Sequence, residues 1–234
     1  MVLPVMFRGK IESIVKSEAN KMLNAQFDFD KINISLLRNF PLASVSVKNF
    51  WLKGVEEFEN DTLVYAGEVT AAVNVMSLFG DSGFEVSKVI IDDTRIKAIV
   101  LADGKVNWDV MKPSDSPAEE ETAAEDGGAF KVQLKKLSID NLDVVYDDRA
   151  GDMYAAIEEF DAVCSGDLAS DQTTIRLKME TPSLTFRTGG VPFLSRAKVK
   201  ADMNVDADLK NMKCTLDKNS LELNAIRAAI DGWV

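Results

Sequence analysis

From Gln26 onward apolar residues fall on alternate positions in run after run, and this period of two persists almost to the end of the 234-residue chain. Successive side chains of a β-strand point to opposite faces, so these runs read as strands with one apolar and one polar face. Phe27, Phe29, Ile32 and Ile34 open the series. The longest run is Val199 to Lys210, where Val199, Ala201, Met203, Val205, Ala207 and Leu209 share one face and Lys200, Asp202, Asn204, Asp206, Asp208 and Lys210 share the other. At about 3.4 Å per residue it would extend for roughly 40 Å, twice an ordinary strand. Its apolar face must either be covered by a second sheet or a helix, or line a hydrophobic trough. Val199, Ala201, Met203 and Val205 are the expected lining of such a trough.

Turn chemistry punctuates the runs. Gly80-Asp81-Ser82-Gly83 predicts a hairpin turn, Asp103-Gly104 and Gly189-Gly190 interrupt later runs, and Phe40-Pro41 breaks an early one. Short connections between neighbours favour antiparallel pairing. The exception to the β pattern lies at the start, where Ile11, Ile14, Val15, Ala19, Met22 and Leu23 follow the three-and-four spacing of one helical face. That spacing predicts one amphipathic helix between Phe7 and about Ala25.

An eight-residue phrase recurs four times, beginning at Val45, Val89, Leu137 and Leu221, at intervals of 44, 48 and 84 residues. Each copy is apolar at its first, third and eighth positions: Val45, Val47 and Leu52; Val89, Ile91 and Ile96; Leu137, Ile139 and Val144; Leu221, Leu223 and Ala228. A fixed phase of this kind implies an array of similar β units. Within each copy a small polar residue separates two extended pieces, as if Asn or Asp bulged there or accepted a backbone hydrogen bond.

Residues 112–129 contain Pro113, Pro117, a run of glutamates and Gly127-Gly128, with no aromatic or branched aliphatic side chain. Such a stretch cannot bury enough apolar surface to order itself, and reads as a flexible acidic loop or linker. The chain therefore divides into 1–111, an N-terminal helix plus β units; 112–129, the acidic segment; and 130–234, further β units continuous with the first part. The expected fold is mostly β: an elongated, curved, mainly antiparallel sheet of repeated units with one N-terminal amphipathic α-helix. Pattern alone is compatible with a closed sheet, a sandwich or an open groove.

Composition narrows the chemistry. There is no histidine, which removes the commonest general base, the commonest zinc ligand and every Ser-His or Cys-His pair. A formal net charge of -11 repels phosphate backbones and argues against nucleic-acid binding. Cys164 and Cys214 each lie on the apolar face of an alternating run, without C-x-x-C spacing, and are expected to be buried free thiols. Asp92-Asp93, Asp147-Asp148 and the Asp161, Asp167 pair supply carboxylates, but no calcium loop, phosphate-cradling glycine loop or nucleophile elbow assembles them. They are read as solvated faces and turns. Trp51, Trp108 and Trp233 are read as core or rim aromatics, and Tyr146 with Arg149 as local packing. No catalytic, cofactor-binding or metal-ligating residue is expected. At the start, Leu3, Pro4, Val5, Met6 and Phe7 are too few to span a bilayer or act as a signal peptide; they are either an ordinary hydrophobic beginning or a membrane-proximal stump of a longer anchor.

Several phrases carry a resemblance. They are Phe7-Arg8-Gly9-Lys10-Ile11, Glu18 to Ala25, Leu36-Leu37-Arg38-Asn39-Phe40-Pro41, Met76 to Gly80, Asp103-Gly104-Lys105-Val106-Asn107-Trp108-Asp109 and Val145 to Arg149. In this order they resemble the N-terminal region of AsmA-family proteins over essentially the whole chain. The resemblance implies a periplasmic body of repeated β units, relatives among TamB-like bridge-type lipid-transfer proteins, and a role in outer-membrane biogenesis and lipid transport across the Gram-negative envelope. It further implies an inner-membrane anchor preceding this segment, phospholipid or another envelope lipid and envelope proteins as partners, and no cofactor. On that reading the chain is an excised part of a longer protein. The alternative is a structural or protein-interaction β scaffold with a filled core and no lipid binding.

Overall fold

A computed structural model describes residues 16, 23–36, 42–74, 86–112, 134–167, 170–208 and 210–233. Among the described residues eleven strands form one sheet: β1 (Gln26–Asp28), β2 (Lys31–Leu36), β3 (Leu42–Lys53), β4 (Thr62–Asn74), β5 (Val86–Val100), β6 (Lys136–Asp148), β7 (Met153–Ser165), β8 (Gln172–Thr188), β9 (Val191–Asp208), β10 (Lys213–Leu223) and β11 (Ile226–Trp233). A 3-10 turn, Glu56–Phe58, joins β3 to β4. The strands lie in sequence order from β3 to β11, with β1 and β2 both pairing to β3 at one edge. The mostly β, mainly antiparallel expectation holds, and the three alternatives resolve to one open sheet.

One ladder departs from antiparallel pairing. β5 and β6 run parallel, in register from Lys88 opposite Lys136 to Val100 opposite Asp148. Parallel neighbours need a crossover connection rather than a tight turn. The acidic segment lies within that connection, and residues on both sides of it belong to the same sheet.

The burial pattern follows from the single layer. Among the described residues every substantial contact between strands joins sheet neighbours. With no second layer above, most large side chains keep part of their surface in water, and small ones disappear most readily between their neighbours. Accordingly, the buried apolar set includes Ala43, Ala66, Ala156, Ala162, Ala197, Ala201 and Ala207. Cys164 and Cys214 are free thiols, as expected, but half-buried rather than buried, for the same reason.

Of the larger buried residues, Phe58, Leu63 and Ile99 are sheltered near one end of the sheet, where Ile99 has no exposed surface, while Phe29, Ile32 and Val86 are buried elsewhere in it. At that end the loop after β5 folds back onto the 3-10 turn. Gly104 takes φ 87°, which glycine adopts without cost, and its N–H donates to the Leu101 carbonyl at 2.9 Å. Asn107, 2% exposed, accepts the Ile99 N–H at 2.8 Å and donates to the Lys97 carbonyl at 2.7 Å. Lys105 pairs with Glu57.

The expected N-terminal helix falls almost wholly outside the described residues, of which Lys16 is helical. Its expected end needs correction: Leu23 forms an antiparallel bridge with Met111, and the Asn24 N–H donates to the Val110 carbonyl at 2.7 Å, so extended pairing replaces helix by Leu23. Leu3 to Phe7, the Gly80 to Gly83 turn, Phe40-Pro41 and the segment from Pro113 onward also lie outside the described residues. The Gly189-Gly190 turn forms as expected, with φ 57° and 73°, between Thr188 and its partner Val191.

Candidate functional site: an apolar sheet face and a polar crease

Register brings the apolar positions into line across the strands. Ile32, Val47, Val69, Ile91, Ile139, Ala162, Met179, Ala201, Leu221 and Ala228 are successive ladder partners from β2 to β11. Directly paired residues share a face, so they form one apolar row perpendicular to the strands. A second row runs from Leu52 through Val64, Ile96, Val144, Ile157 and Leu184 to Ala197, across β3 to β9.

In each strand from β3 to β8 the members of the two rows are five residues apart, an odd separation that would place them on opposite faces of a regular strand. A line of irregularities between the rows reverses the parity. Asn49, Asp93, Asn141 and Glu159 have φ of 50°, 47°, 54° and 50°, Gly67 lies between Asn49 and Asp93, and Pro182 occupies the equivalent place in β8. The reversal is visible on the polar side, where Asp140 and Asp143, three residues apart, line the same cleft. Both apolar rows therefore lie on one continuous face. The first three copies of the eight-residue phrase are the sequence image of this crease, because their fifth positions are Asn49, Asp93 and Asn141.

The fourth copy differs. Its polar residue is Asn224, one position earlier, and Leu223 pairs with Ile226, so the kink has become a two-residue hairpin turn. Asn224 keeps a positive φ of 54° and still serves its neighbour: its Oδ1 accepts the Lys198 N–H at 2.9 Å, and its own N–H donates to the Lys198 carbonyl at 2.8 Å.

The expected lining residues sit on the apolar face of β9. Val199 lies between Thr181 and Leu223, Ala201 between Met179 and Leu221, and Val205 between Ile175 and Leu216, while Met203 faces Leu177. Ala201 is 3% exposed and the other three are half-buried. The face on which they lie is open rather than an enclosed cavity.

The other face carries an open recess. A cleft of about 940 Å³ follows the crease and is lined by Arg95, Asp140, Asn141, Asp143, Glu159, Asp161, Glu180, Lys198, Lys200, Glu222 and Asn224, with Thr181, Pro182 and Val199 at its wall. Its carboxylates serve the backbone: Asp161 accepts the Asn141 N–H at 2.9 Å and Asp143 accepts the Glu159 N–H at 2.8 Å. Each takes up a donor that the bulge has freed from the ladder. In the cleft Lys200 pairs with Glu180 at 3.0 Å, and outside it, in the β3 and β4 ladder, Lys48 pairs with Glu68 at 2.9 Å. The Lys48 ammonium, then the Ser46 hydroxyl, hold the Glu68 carboxyl below its usual range, and Glu180 raises the Lys200 ammonium.

Three more of the acids singled out in the sequence also do structural work. Asp93 accepts from the Asn141 side chain, Asp147 pairs with Arg149 at 3.0 Å, and Asp148 caps the Gly151 N–H at 2.8 Å. The Asp167 N–H donates to Thr173 Oγ1. Among the described residues no three potential ligands converge on a metal position. Trp108 packs tilted on Tyr146 at 6.2 Å, Trp51 lies under the Lys53 ammonium, and Trp233 is 81% exposed. The sequence reading missed the polar cleft and the Asn107 clamp. The acids and amides at fixed phase were the available signal for the first, and the Asp103 to Asp109 phrase for the second.

No helix among the described residues is long and apolar enough to cross a membrane. Neither the curated proteins nor the solved structures contain a match to this chain. A family model described as AsmA family matches residues 1–228, and with nearly the whole length covered, the chain belongs to the AsmA family.

Proposed function

We propose that this chain is a non-enzymatic module of envelope biogenesis that shields phospholipid acyl chains on its apolar face as they pass between inner and outer membranes. The observation that carries the reading is the continuity of that face. Bulges in strand after strand preserve it across the crease, and no second layer covers it among the described residues. Ten strands at about 4.8 Å spacing give a path of roughly 43 Å across the sheet. Each methylene moved from water onto such a face gains up to about 0.8 kcal/mol, so shielding needs no chemistry and no cofactor. AsmA membership supports a place in the envelope. On this reading the protein works in the periplasm, held at the inner membrane by an anchor preceding the segment, with Leu3 to Phe7 next to the bilayer and envelope proteins as its partners.

The test is native mass spectrometry with lipid extraction after incubation with envelope phospholipids, comparing the wild type with Met203→Asp. Met203 is half-buried in β9 opposite Leu177, so the substitution charges the face without emptying a packed core. The reading expects phospholipid on the wild type and at least a tenfold loss on a folded variant. A wild type that retains no lipid would leave the scaffold role in its place.

A further inference from the structure

We infer that a second recess on the polar face, running from Trp51 and Tyr65 to Asp143, binds an acidic saccharide: a hydroxylated ring that carries one anionic group. It is independent of the lipid reading, which concerns the opposite face. Trp51, Tyr65, Arg95 and Asp143 are successive ladder partners across β3 to β6, so their side chains share a face. Each is the chain neighbour of a member of the second apolar row, Leu52, Val64, Ile96 or Val144, and therefore points to the polar side. With Asn60, Asp61 and Thr62 at the entry to β4, and with Lys53 and Lys97, they line a recess of about 790 Å³. It adjoins the crease cleft, with which it shares Arg95 and Asp143. Its volume is that of a small-molecule site and leaves room for a disaccharide.

The chemistry of the lining selects the ligand. Two large aromatic side chains stand among the charged ones of this face and offer ring surface to the C–H groups of a sugar. The Tyr65 ring is fixed by its hydroxyl, which donates to Asn49 Oδ1 at 3.1 Å. Beside the rings, the Trp51 indole N–H, the Asn60 amide and the Lys53 ammonium have no hydrogen-bond or ion-pair partner among the described residues. Lys53 instead lies 5.4 Å from the centre of the Trp51 ring, on a flexible stem. The carboxylates are already engaged: Asp61 pairs with Lys97 at 2.7 Å, and Asp143 accepts the Glu159 N–H at 2.8 Å. Arg95 is loosely held, at 3.7 Å from Asp143 and 3.9 Å from Asp93, and its side chain is 66% exposed, so its donors can turn to a ligand. Lys53, Arg95 and Lys97 against Asp61 and Asp143 leave one positive charge unanswered, that of Lys53. The matching ligand has a ring to lie on the aromatics, hydroxyls for the donors and one negative charge for Lys53. A neutral sugar leaves the charge unanswered, and a bare anion leaves the rings uncovered.

NMR titration of the 234-residue chain with cellobiuronic acid (glucuronic acid linked to glucose), with cellobiose, the same disaccharide without the carboxylate, and with inorganic phosphate tests the inference. Affinities come from saturation transfer to the ligand, and the location from the Trp51 indole N–H signal, assigned by its absence in Trp51→Phe. Cellobiuronic acid should shift that signal saturably and bind at least about tenfold more tightly than cellobiose, as one hydrogen bond to a charged group would give. Phosphate should bind more weakly than either disaccharide. Lys53→Gln should reduce the affinity for cellobiuronic acid to that for cellobiose, and Trp51→Phe should weaken both disaccharides. The lysine substitution empties no packed position, so it tests the site even where the tryptophan variant folds poorly, and lipid retention on the other face should be the same in Lys53→Gln as in the wild type. No saturable binding of cellobiuronic acid, equal affinity for the two disaccharides, phosphate bound as tightly as cellobiuronic acid, or an unchanged affinity in Lys53→Gln would each overturn it.

Discussion

The Asn141 side-chain amide donates to the Asp93 carboxylate at 3.1 Å, linking two residues of positive φ, 54° and 47°, that lie side by side in the parallel pair of β5 and β6. Each is the point where its strand reverses parity, so the bond ties together two bulges that must coincide if the apolar rows are to stay aligned. Asn and Asp tolerate the left-handed region better than other residues with a Cβ, and their side chains can meet the groups that a bulge leaves unpaired. One residue choice thus connects backbone conformation, sheet register and the face on which function is proposed.

That relationship orders two substitutions. Asn141→Ala removes the bond to Asp93 and forces an alanine into the left-handed region, for an expected loss of about 1–2 kcal/mol. Asn141→Gly loses the same bond but accepts the backbone conformation, so it should be the milder of the two. Urea unfolding of both proteins checks the order, and an alanine variant as stable as the glycine variant would dissociate the crease from backbone strain.

Gly67 lies beside the crease for a steric reason. A Cβ built there would approach Asp93 Cβ to 3.0 Å and its carbonyl and Oδ2 to 3.3 Å. Gly67→Ala should therefore press the two strands apart at the point where both bend, with a cost of about 1–3 kcal/mol. Faster amide exchange in β4 and β5 around residues 66–68 and 92–94 should accompany the loss of stability. Unchanged exchange and stability would show that the strands accommodate a methyl there.

Much of this was legible in the sequence, and the reasons are physical. The period of two reports strand faces directly, so the apolar row through Val47, Ile91, Ile139 and Ala201 follows once the order of strands is known. The phase of Asn49, Asp93 and Asn141 reports a local backbone requirement, which is why the kink could be read without knowing its partners. Ladder direction is different, because the same alternation suits parallel and antiparallel neighbours; the β5 and β6 pairing was hidden for that reason. The polar cleft was hidden too, since Asp140 and Asp143 converge only after the bulge reverses parity, and Asp161 and Lys200 only through the strand pairing that sets Glu180 between them. Burial of the cysteines was overestimated because alternation shows which face is apolar, and not whether another layer covers it.

The phrase Asp103 to Asp109 is one of those that carried the family resemblance, and the structure gives it a mechanical role. Asn107 fills both hydrogen-bonding needs of the β5 segment that the loop covers, at the Ile99 N–H and the Lys97 carbonyl. Asn107→Ala would leave a buried amide without a partner beside Ile99, at an expected cost of about 1–3 kcal/mol. Asn107→Asp keeps an acceptor for Ile99 but sets a carboxylate oxygen against the Lys97 carbonyl, so it should recover little. Thermal unfolding together with the exchange rate of the Ile99 amide would measure this, and wild-type protection of that amide in Asn107→Ala would remove the clamp from the account.

Acid should weaken the Lys48 to Glu68 pair across the β3 and β4 ladder. Glu68 is held below the ordinary glutamate value of 4.5, first by its hydrogen bond with Lys48 and then by Ser46. A carboxyl with a depressed folded value binds its proton less readily in the native state than in the unfolded chain. Its contribution is therefore complete above the ordinary value and is lost as pH falls through 4.5 toward the depressed one. The pair is partly solvent-exposed, with side-chain accessibilities of 39% and 32%, so the effect is modest and weakens with added salt. Glu68→Gln should be less stable than wild type at neutral pH and should narrow that gap as the pH falls below 4.5, with Lys48 left unpaired in both. Urea midpoints of the two proteins at a series of pH values would establish it; parallel curves across that range would mean that the Lys48 to Glu68 contact contributes nothing to the native state.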